Sequence, residues 1–274
     1  MAPVLPTNRE LISFCKERIS TGIRFFRFSD TVAIKFGTDV TEGEAATQLY
    51  VWKHIDPTIF RVPEPYRYFQ DEPPGGSYVI GYLVMEYIDG ICLSEYLESV
   101  TSKDDETVVD CIIKALHHLE AIPLPVGQGP GPIGSSHPRG YLWGDDGIAT
   151  SFASITEMEN WLNDLVEKYQ KFLPTSKSKD KFIFTPAKLV MCHGDLAPRN
   201  ILWLGDGQLA LLDWGNAGFY PQVFEVYAFR TRENREPIFA KILSRLTQQE
   251  DDEEQIQRLA KIEYILLHHG NSIN

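Results

Sequence analysis

Three short apolar runs, at residues 189–192, 201–204 and 209–212, each meet a polar residue at one end. Four apolar residues bounded by turn formers fit a buried strand. His193-Gly194-Asp195 follows the first run and Asn200 opens the second. Gly205-Asp206-Gly207 marks a turn, and Asp213 closes the third run. The pattern predicts strand, polar loop, strand, turn, strand, polar loop. It sets two carboxylates, one carboxamide and one imidazole at strand ends. A buried carboxylate without a partner is costly, so groups placed this way face a cleft, a metal or a partner.

The rest of the chain alternates between strand and helix periods. Leu11, Ile12, Cys15 and Ile19 share one helical face, with Thr7 or Asn8 as the cap and an end near Ser20. Residues 23–28 and 31–36 read as two strands joined at Ser29-Asp30, and 44–54 as a helix carrying Ala45, Leu49 and Trp52. A Pro-rich connector, 57–65, leads to strands 66–70 and 78–85 around a turn. Residues 93–98 suggest a short helix. A firmer one runs from Asp104 or Asp105 to Ala121, because Val108, Val109, Ile112, Ile113, Leu116 and Leu119 recur at helical spacing. Residues 122–140 are rich in Pro and Gly and predict a loop. Ser154-Ile155-Thr156-Glu157 is a capping box opening a helix to Phe172, and 174–181 look mobile. Helices near 221–229, 237–246 and 251–269 complete the pattern.

With 274 residues, 43% of them apolar, the chain can build two lobes around a cleft. Its net charge of −12 argues against nucleic acid or an anionic membrane as partner. That charge is compatible with a cationic substrate, although solubility alone accounts for it. Cys15, Cys92, Cys111 and Cys192 form no CxxC pair, which suggests reduced thiols in a cytoplasmic protein. No 18-residue apolar run and no signal-peptide pattern stand in the sequence.

The spacing around Asp195 suits phosphoryl transfer. Mg²⁺ prefers hard oxygen ligands, so one or two side chains plus nucleotide phosphates suffice. Asn200 and Asp213 offer such oxygens from opposite sides of one hairpin. Asp195, five residues before Asn200, is placed to orient a substrate hydroxyl and accept its proton. Upstream, Val32-Ala33-Ile34-Lys35 alternates so that Ala33 and Lys35 share a face. Read with the downstream loop, Lys35 is a ligand for the nucleotide phosphates and needs a carboxylate to hold it. Glu44, which begins the next helix and there also suits the helix dipole, is one candidate, and Glu42 is the other.

His193-Gly194-Asp195-Leu196-Ala197-Pro198-Arg199-Asn200-Ile201-Leu202, followed by Leu212-Asp213-Trp214, resembles the aminoglycoside phosphotransferase and choline kinase family. This is the small-molecule branch of the protein-kinase-like fold. The Ala-Pro-Arg-Asn version, with Ala217-Gly218-Phe219-Tyr220-Pro221 downstream, is similar to a subgroup abundant in filamentous fungi. The resemblance implies a bilobal α+β fold. A small antiparallel-sheet lobe, residues 1–87, would bind nucleotide. A larger, mostly helical lobe, residues 88–274, would hold the catalytic and acceptor sites. It implies Asp195 as base, His193 as loop-structuring residue, and Asn200 and Asp213 as metal ligands, and it favours Glu44 as the partner of Lys35. Met85-Glu86-Tyr87-Ile88-Asp89-Gly90 resembles the hinge between kinase lobes. There the Glu86 carbonyl and the Ile88 amide would meet adenine, with Met85 lining the pocket. The implied cofactors are ATP and Mg²⁺, and the implied acceptor is a hydroxylated small molecule. Two features depart from protein kinases. Position 197, two residues after the base, is Ala rather than Lys, and only Gly22 stands where a Gly-rich loop would.

Two rival readings differ in chemistry. A pseudokinase, binding nucleotide without transfer, is disfavoured because Lys35 and all four polar anchors are present. A metallohydrolase on His193 and Asp195 needs further ligand clusters, and the remaining histidines are not so arranged.

Overall fold

The structure is a computed structural model. It describes residues 5–18, 24–73, 75, 78–99, 102–134, 137–144, 147–170, 181–184, 187–205, 207–246 and 250–269. Ser20, Gly22, Phe172, the 174–180 stretch and Asp206 therefore lie outside the described residues.

Helix α1 (Asn8–Lys16) opens on a capping box in which Thr7 and Glu10 satisfy each other's amides. It is shorter than its apolar face suggests, and Glu17 caps it. Strands β1 (Phe25–Arg27) and β2 (Val32–Gly37) form an antiparallel hairpin, closed where the Phe28 amide donates to the Val32 carbonyl at 2.8 Å. Helix α2 (Glu42–His54) starts two residues earlier than predicted, because Thr41 acts as N-cap and accepts from the Glu44 amide. Strands β3 (Phe60–Arg61), β4 (Pro65–Asp71) and β5 (Ile80–Glu86) follow. The first sheet has the order β1-β2-β5-β4, antiparallel throughout. Alternation decides its two faces. Val32, Ile34 and Phe36 pack with Leu11 and Cys15 of α1, while Ala33 packs with Ala45 of α2, Leu83 and Met85. Each fully buried large side chain stabilises this sandwich by about 1.5–3 kcal/mol. Lys35, in phase with Ala33, is thereby directed to the α2 side.

The chain continues with β6 (Ile91–Cys92), α3 (Leu93–Ser99) and α4 (Ser102–Glu120), then α5 (Ile155–Tyr169). Next come β7 (Leu189–Cys192), β8 (Ile201–Trp203), β9 (Leu209–Leu211) and β10 (Gly218–Pro221). Helices α6 (Val223–Arg230), α7 (Pro237–Leu246) and α8 (Glu250–His269) complete it. Strands β8 and β9 form the predicted hairpin, flanked by β6 and, in parallel, by β3. The expected helix from Pro221 is corrected: residues 218–221 pair antiparallel with β7, and helix begins only at Val223. Local propensity did not decide this; β7 has an unpaired edge, and Gly218–Pro221 fills it from Cys192 to Leu189. On the other side Phe219 and Gly131 exchange two backbone hydrogen bonds, at 2.8 and 3.0 Å. That bridge anchors the 122–140 loop, which also reaches the smaller lobe through Ile133 N to Thr47 Oγ1, 2.9 Å. Among the described residues no helix is long and apolar enough to cross a membrane.

Candidate active site

The loop between β7 and β8 is shaped by its own polar groups. Gly194 has φ +73°, and a Cβ there would meet the Asn216 carbonyl at 2.8 Å, so only glycine fits. His193 is fully buried; Nε2 donates to the Leu212 carbonyl at 3.0 Å, leaving Nδ1 to accept from the Asp195 amide at 3.3 Å. Burial holds this imidazole neutral, its pKa lowered to about 4. Asn200 Nδ2 donates to the Asp195 carbonyl at 2.9 Å, so its Oδ1 is the end left for a ligand. The Leu212 amide donates to the Asn200 carbonyl at 2.8 Å, which sets Asp213 beside Asn200. Both the loop and the end of β9 are thus tied to one another through His193 and Leu212.

Asp213 has φ 63° and ψ 76°, the one non-glycine at positive φ among the described residues. Such a backbone costs roughly 1–3 kcal/mol and persists where the surroundings demand it. Here the demand is visible: Asp213 Oδ1 receives Lys35 Nζ at 2.8 Å, and Lys35 Nζ also meets Glu44 Oε1 at 2.6 Å. Burial works against the Lys35 ammonium, but Glu44 and Asp213 outweigh it and raise its pKa. Burial likewise pushes Asp213 up, and Lys35 more than reverses this, so its carboxyl sits below the usual value. Glu44 is buried and Oε2 has no hydrogen-bond partner, whereas no ion pair of Glu42 occurs among the described residues. The structure therefore joins Lys35, Glu44, Asp213, Asn200, His193 and Asp195 in one region.

Met85, Glu86 and Ile88, the residues expected at a hinge, lie at and just past the end of β5. Met85 is buried and its sulfur is 3.6 Å from Gln48 Nε2. Glu86 Oε1 pairs with Arg61 at 2.5 Å, and the Tyr87 amide donates to the Thr31 carbonyl at 3.0 Å. The Ile88 side chain is buried against Leu202, Leu204 and Ala210, and its amide has no backbone partner among the described residues.

Three residues at the site were not foreseen. Arg199 Nη2 reaches Asp195 Oδ2 at 2.8 Å, Arg232 Nη1 reaches Asp195 Oδ1 at 2.6 Å, and Glu225 Oε2 accepts from the Gly194 amide at 3.0 Å. Burial pushes the Asp195 carboxyl up, to about 7, with Arg199 pulling down and Asp213 adding to the rise. The two guanidinium contacts favour the anion, the form a proton acceptor requires. Arg199 carries a sequence signal, four residues after Asp195 within the polar loop. Arg232, inside the polar stretch 231–236, carries none.

Residues 26–260 match the phosphotransferase enzyme family (APH). No curated protein matches the chain in sequence. Among solved structures, the chain is similar to a thermostable mutant of aminoglycoside phosphotransferase APH(4)-Ia in its apo form. The TM-score is 0.57 and the identity 14%, covering 88% of this chain and 81% of that one. A ternary complex of such a mutant with ADP and hygromycin B gives TM-score 0.58 at 14% identity, covering 94% and 92%. The streptomycin-ATP-APH(2")-IIa ternary complex gives TM-score 0.51 at 11% identity, covering 98% and 96%. At such identities the likeness shows the fold, a protein-kinase-like α+β arrangement.

Proposed function

Since the chain belongs to the phosphotransferase enzyme family, we propose that it moves the γ-phosphoryl group of ATP to a hydroxyl of a small molecule, with Mg²⁺. The observation that carries this reading is Lys35, whose ammonium bridges Glu44 and Asp213 while Asp213 is held beside Asn200. That is a phosphate-binding cation next to two hard oxygen donors. Residues 1–87 would form the nucleotide-binding lobe and residues 88–274 the catalytic and acceptor lobe. The ATP and antibiotics named with the structural relatives agree with this class of substrate.

The donor set fits Mg²⁺. Asn200 Oδ1 is free of the loop's own hydrogen bonds, and Asp213 keeps one oxygen beyond its Lys35 contact. Among the described residues no three His, Cys, Asp or Glu gather as a metal cage, and a nucleotide-bound magnesium needs only one or two protein ligands. When bound, the ion neutralises charge on the phosphates. The chain's own residues do the rest. Lys35, held charged by its two carboxylates, would bind the phosphates. The Ile88 amide, without a backbone partner among the described residues, and the Glu86 carbonyl would receive adenine against Met85. Asp195 would orient the acceptor hydroxyl and take its proton as the oxygen attacks phosphorus. His193 would hold Asp195 by its backbone and, through Leu212, keep it in register with Asp213. All four cysteines are free thiols, in keeping with a reducing cytoplasm.

The test is an ATP-consumption screen over hydroxylated metabolites, amino-sugars and amino-alcohols with Mg²⁺ present. Transfer to at least one hydroxyl, abolished by Asp195→Asn, is the expected result. Tight Mg·ATP binding with no transfer across the panel would favour a nucleotide-binding module instead.

A further inference from the structure

Asp195 is held by more positive charge than one carboxylate needs. Its Oδ1 lies 2.6 Å from Arg232 Nη1 and 3.0 Å from Arg199 Nη2, and its Oδ2 lies 2.8 Å from Arg199 Nη2. A single guanidinium can satisfy a carboxylate through both oxygens, so the second contact is more than Asp195 alone requires. Arg232 is only 6% exposed, and among the described residues its Nη2 has no hydrogen-bond partner. A buried charged nitrogen without a partner is costly until something fills it. Tyr141 stacks on the Arg232 guanidinium, 3.3 Å from ring centroid to carbon, and its hydroxyl accepts from Arg199 Nη2 at 3.0 Å. The ring fixes the plane of one fork and ties it to the other. Glu236 and Glu263 act on Arg232 at longer range and Arg235 opposes them. Glu263 is engaged by the Tyr227 hydroxyl. Among the described residues, only Asp195 forms an ion pair with Arg232. The Arg199 side chain, 53% exposed, marks the side open to solvent.

We propose that Arg232 and Arg199 form a subsite for an anionic group of the acceptor, a carboxylate or a phosphate ester close to the hydroxyl that is phosphorylated. The inference rests on the phosphotransferase reading above. To act as base, Asp195 must turn an oxygen toward the acceptor, and Oδ1 is covered by two guanidinium nitrogens. An acceptor anion gives Arg232 Nη2 its missing partner, draws the guanidinium off Oδ1, and brings the neighbouring hydroxyl to the oxygen so freed. The overall charge of −12 favours cations at a distance. That field is screened beyond about 8 Å at physiological salt, while the two forks act at hydrogen-bond distance.

The experiment uses the full chain with Mg·ATP and acceptors matched in skeleton but not in charge. One set is glycerol, glycerate and glycerol phosphate; the other is glucose, gluconate, glucose phosphate and glucosamine. In parallel, calorimetry with inorganic phosphate and with malate as probes is run at saturating Mg²⁺ and a non-hydrolysable ATP analogue. The expected result is binding of at least one probe, and preferred transfer to an anionic acceptor. Whether the carboxylate or the phosphate members win names the anion. Arg232→Met and Arg199→Met should each weaken probe binding and raise KM for the anionic acceptor by about 10- to 100-fold, the size of one charge-assisted hydrogen bond. Arg199 is half exposed, so its variant tests the subsite even if Arg232→Met fails to fold. Preferred transfer to a neutral or cationic member would overturn the inference and leave the phosphotransferase reading standing. Probe binding that both variants retain, or no binding of either probe, would also overturn it. Transfer to no acceptor, with probe binding lost in the variants, would support the subsite and overturn the phosphotransferase reading.

Discussion

Lys35 Nζ lies 2.8 Å from Asp213 Oδ1, across 178 positions of sequence. One ammonium thus joins strand β2 to the strand end that follows the Asp195 loop. Glu44, at 2.6 Å on the same nitrogen, fixes its direction from helix α2.

Lys35→Met should lower kcat/KM for ATP by roughly 100-fold or more, the scale of losing one preorganised electrostatic contact. It also strands Glu44, which is 2% exposed, so the protein should remain folded but lose stability. Adding Glu44→Gln should restore much of the stability without restoring activity. Thermal melts and steady-state kinetics on the single and double variants decide this; unchanged ATP kinetics in Lys35→Met would remove Lys35 from the nucleotide site.

Asp213→Asn keeps the side-chain shape, and Asn tolerates the left-handed backbone that Asp213 adopts at φ 63°. Its fold should therefore persist, with only a modest change in melting temperature. Charge facing the metal and Lys35 is lost, so turnover should collapse and the Mg²⁺ concentration needed should rise. Turnover close to wild type across a Mg²⁺ titration would assign the metal to another acid.

Asp195→Asn separates chemistry from binding. Transfer should fall by about 10²–10⁴-fold, the usual contribution of a general base, while Mg·ATP affinity survives. With the Asp195 pKa at about 7, wild-type transfer should decline as pH drops below neutrality, where the carboxyl takes up a proton. Single-turnover rates beside calorimetry provide the check. Equal transfer rates in the two proteins would exclude Asp195 as base.

Glu225 predicts a pH dependence of stability. Its carboxyl is buried, and burial raises its pKa from 4.5 to about 7 against the hydrogen bonds from Gly194 and His193. In the unfolded chain it ionises near the lower value, so between these pH values the native state holds more protons. Its contribution is then fully present below pH 4.5 and fades as pH rises through about 7, by roughly 3 kcal/mol if the whole shift is realised. Urea unfolding of wild type and Glu225→Gln from pH 4.5 to 8 should show a steeper decline in wild type, by that amount. Parallel curves for the two proteins would contradict it.

Local pattern alone determined much of this protein. Alternation in 32–36 put Lys35 on the face opposite Val32 and Ile34, and the structure keeps that phase because the apolar set has to be buried. The four-residue runs ending at Cys192 and opening at Ile201 became strands, since charge and glycine at their ends leave no other way to bury them. The spacing from Asp195 to Asn200 to Asp213 was readable because one loop and one hairpin carry it. Tertiary structure decided what depends on distant partners. Residues 218–221 became a strand only because β7 offered its edge; the resemblance already favoured Glu44 over Glu42 for Lys35, and the helix started by Thr41 brings Glu44 to that ammonium. Arg232 meets Asp195 across 37 positions from a stretch whose composition reads as surface. Its burial follows from the packing of the turn after α6, and no periodicity in sequence encodes which carboxylate a packed turn will face.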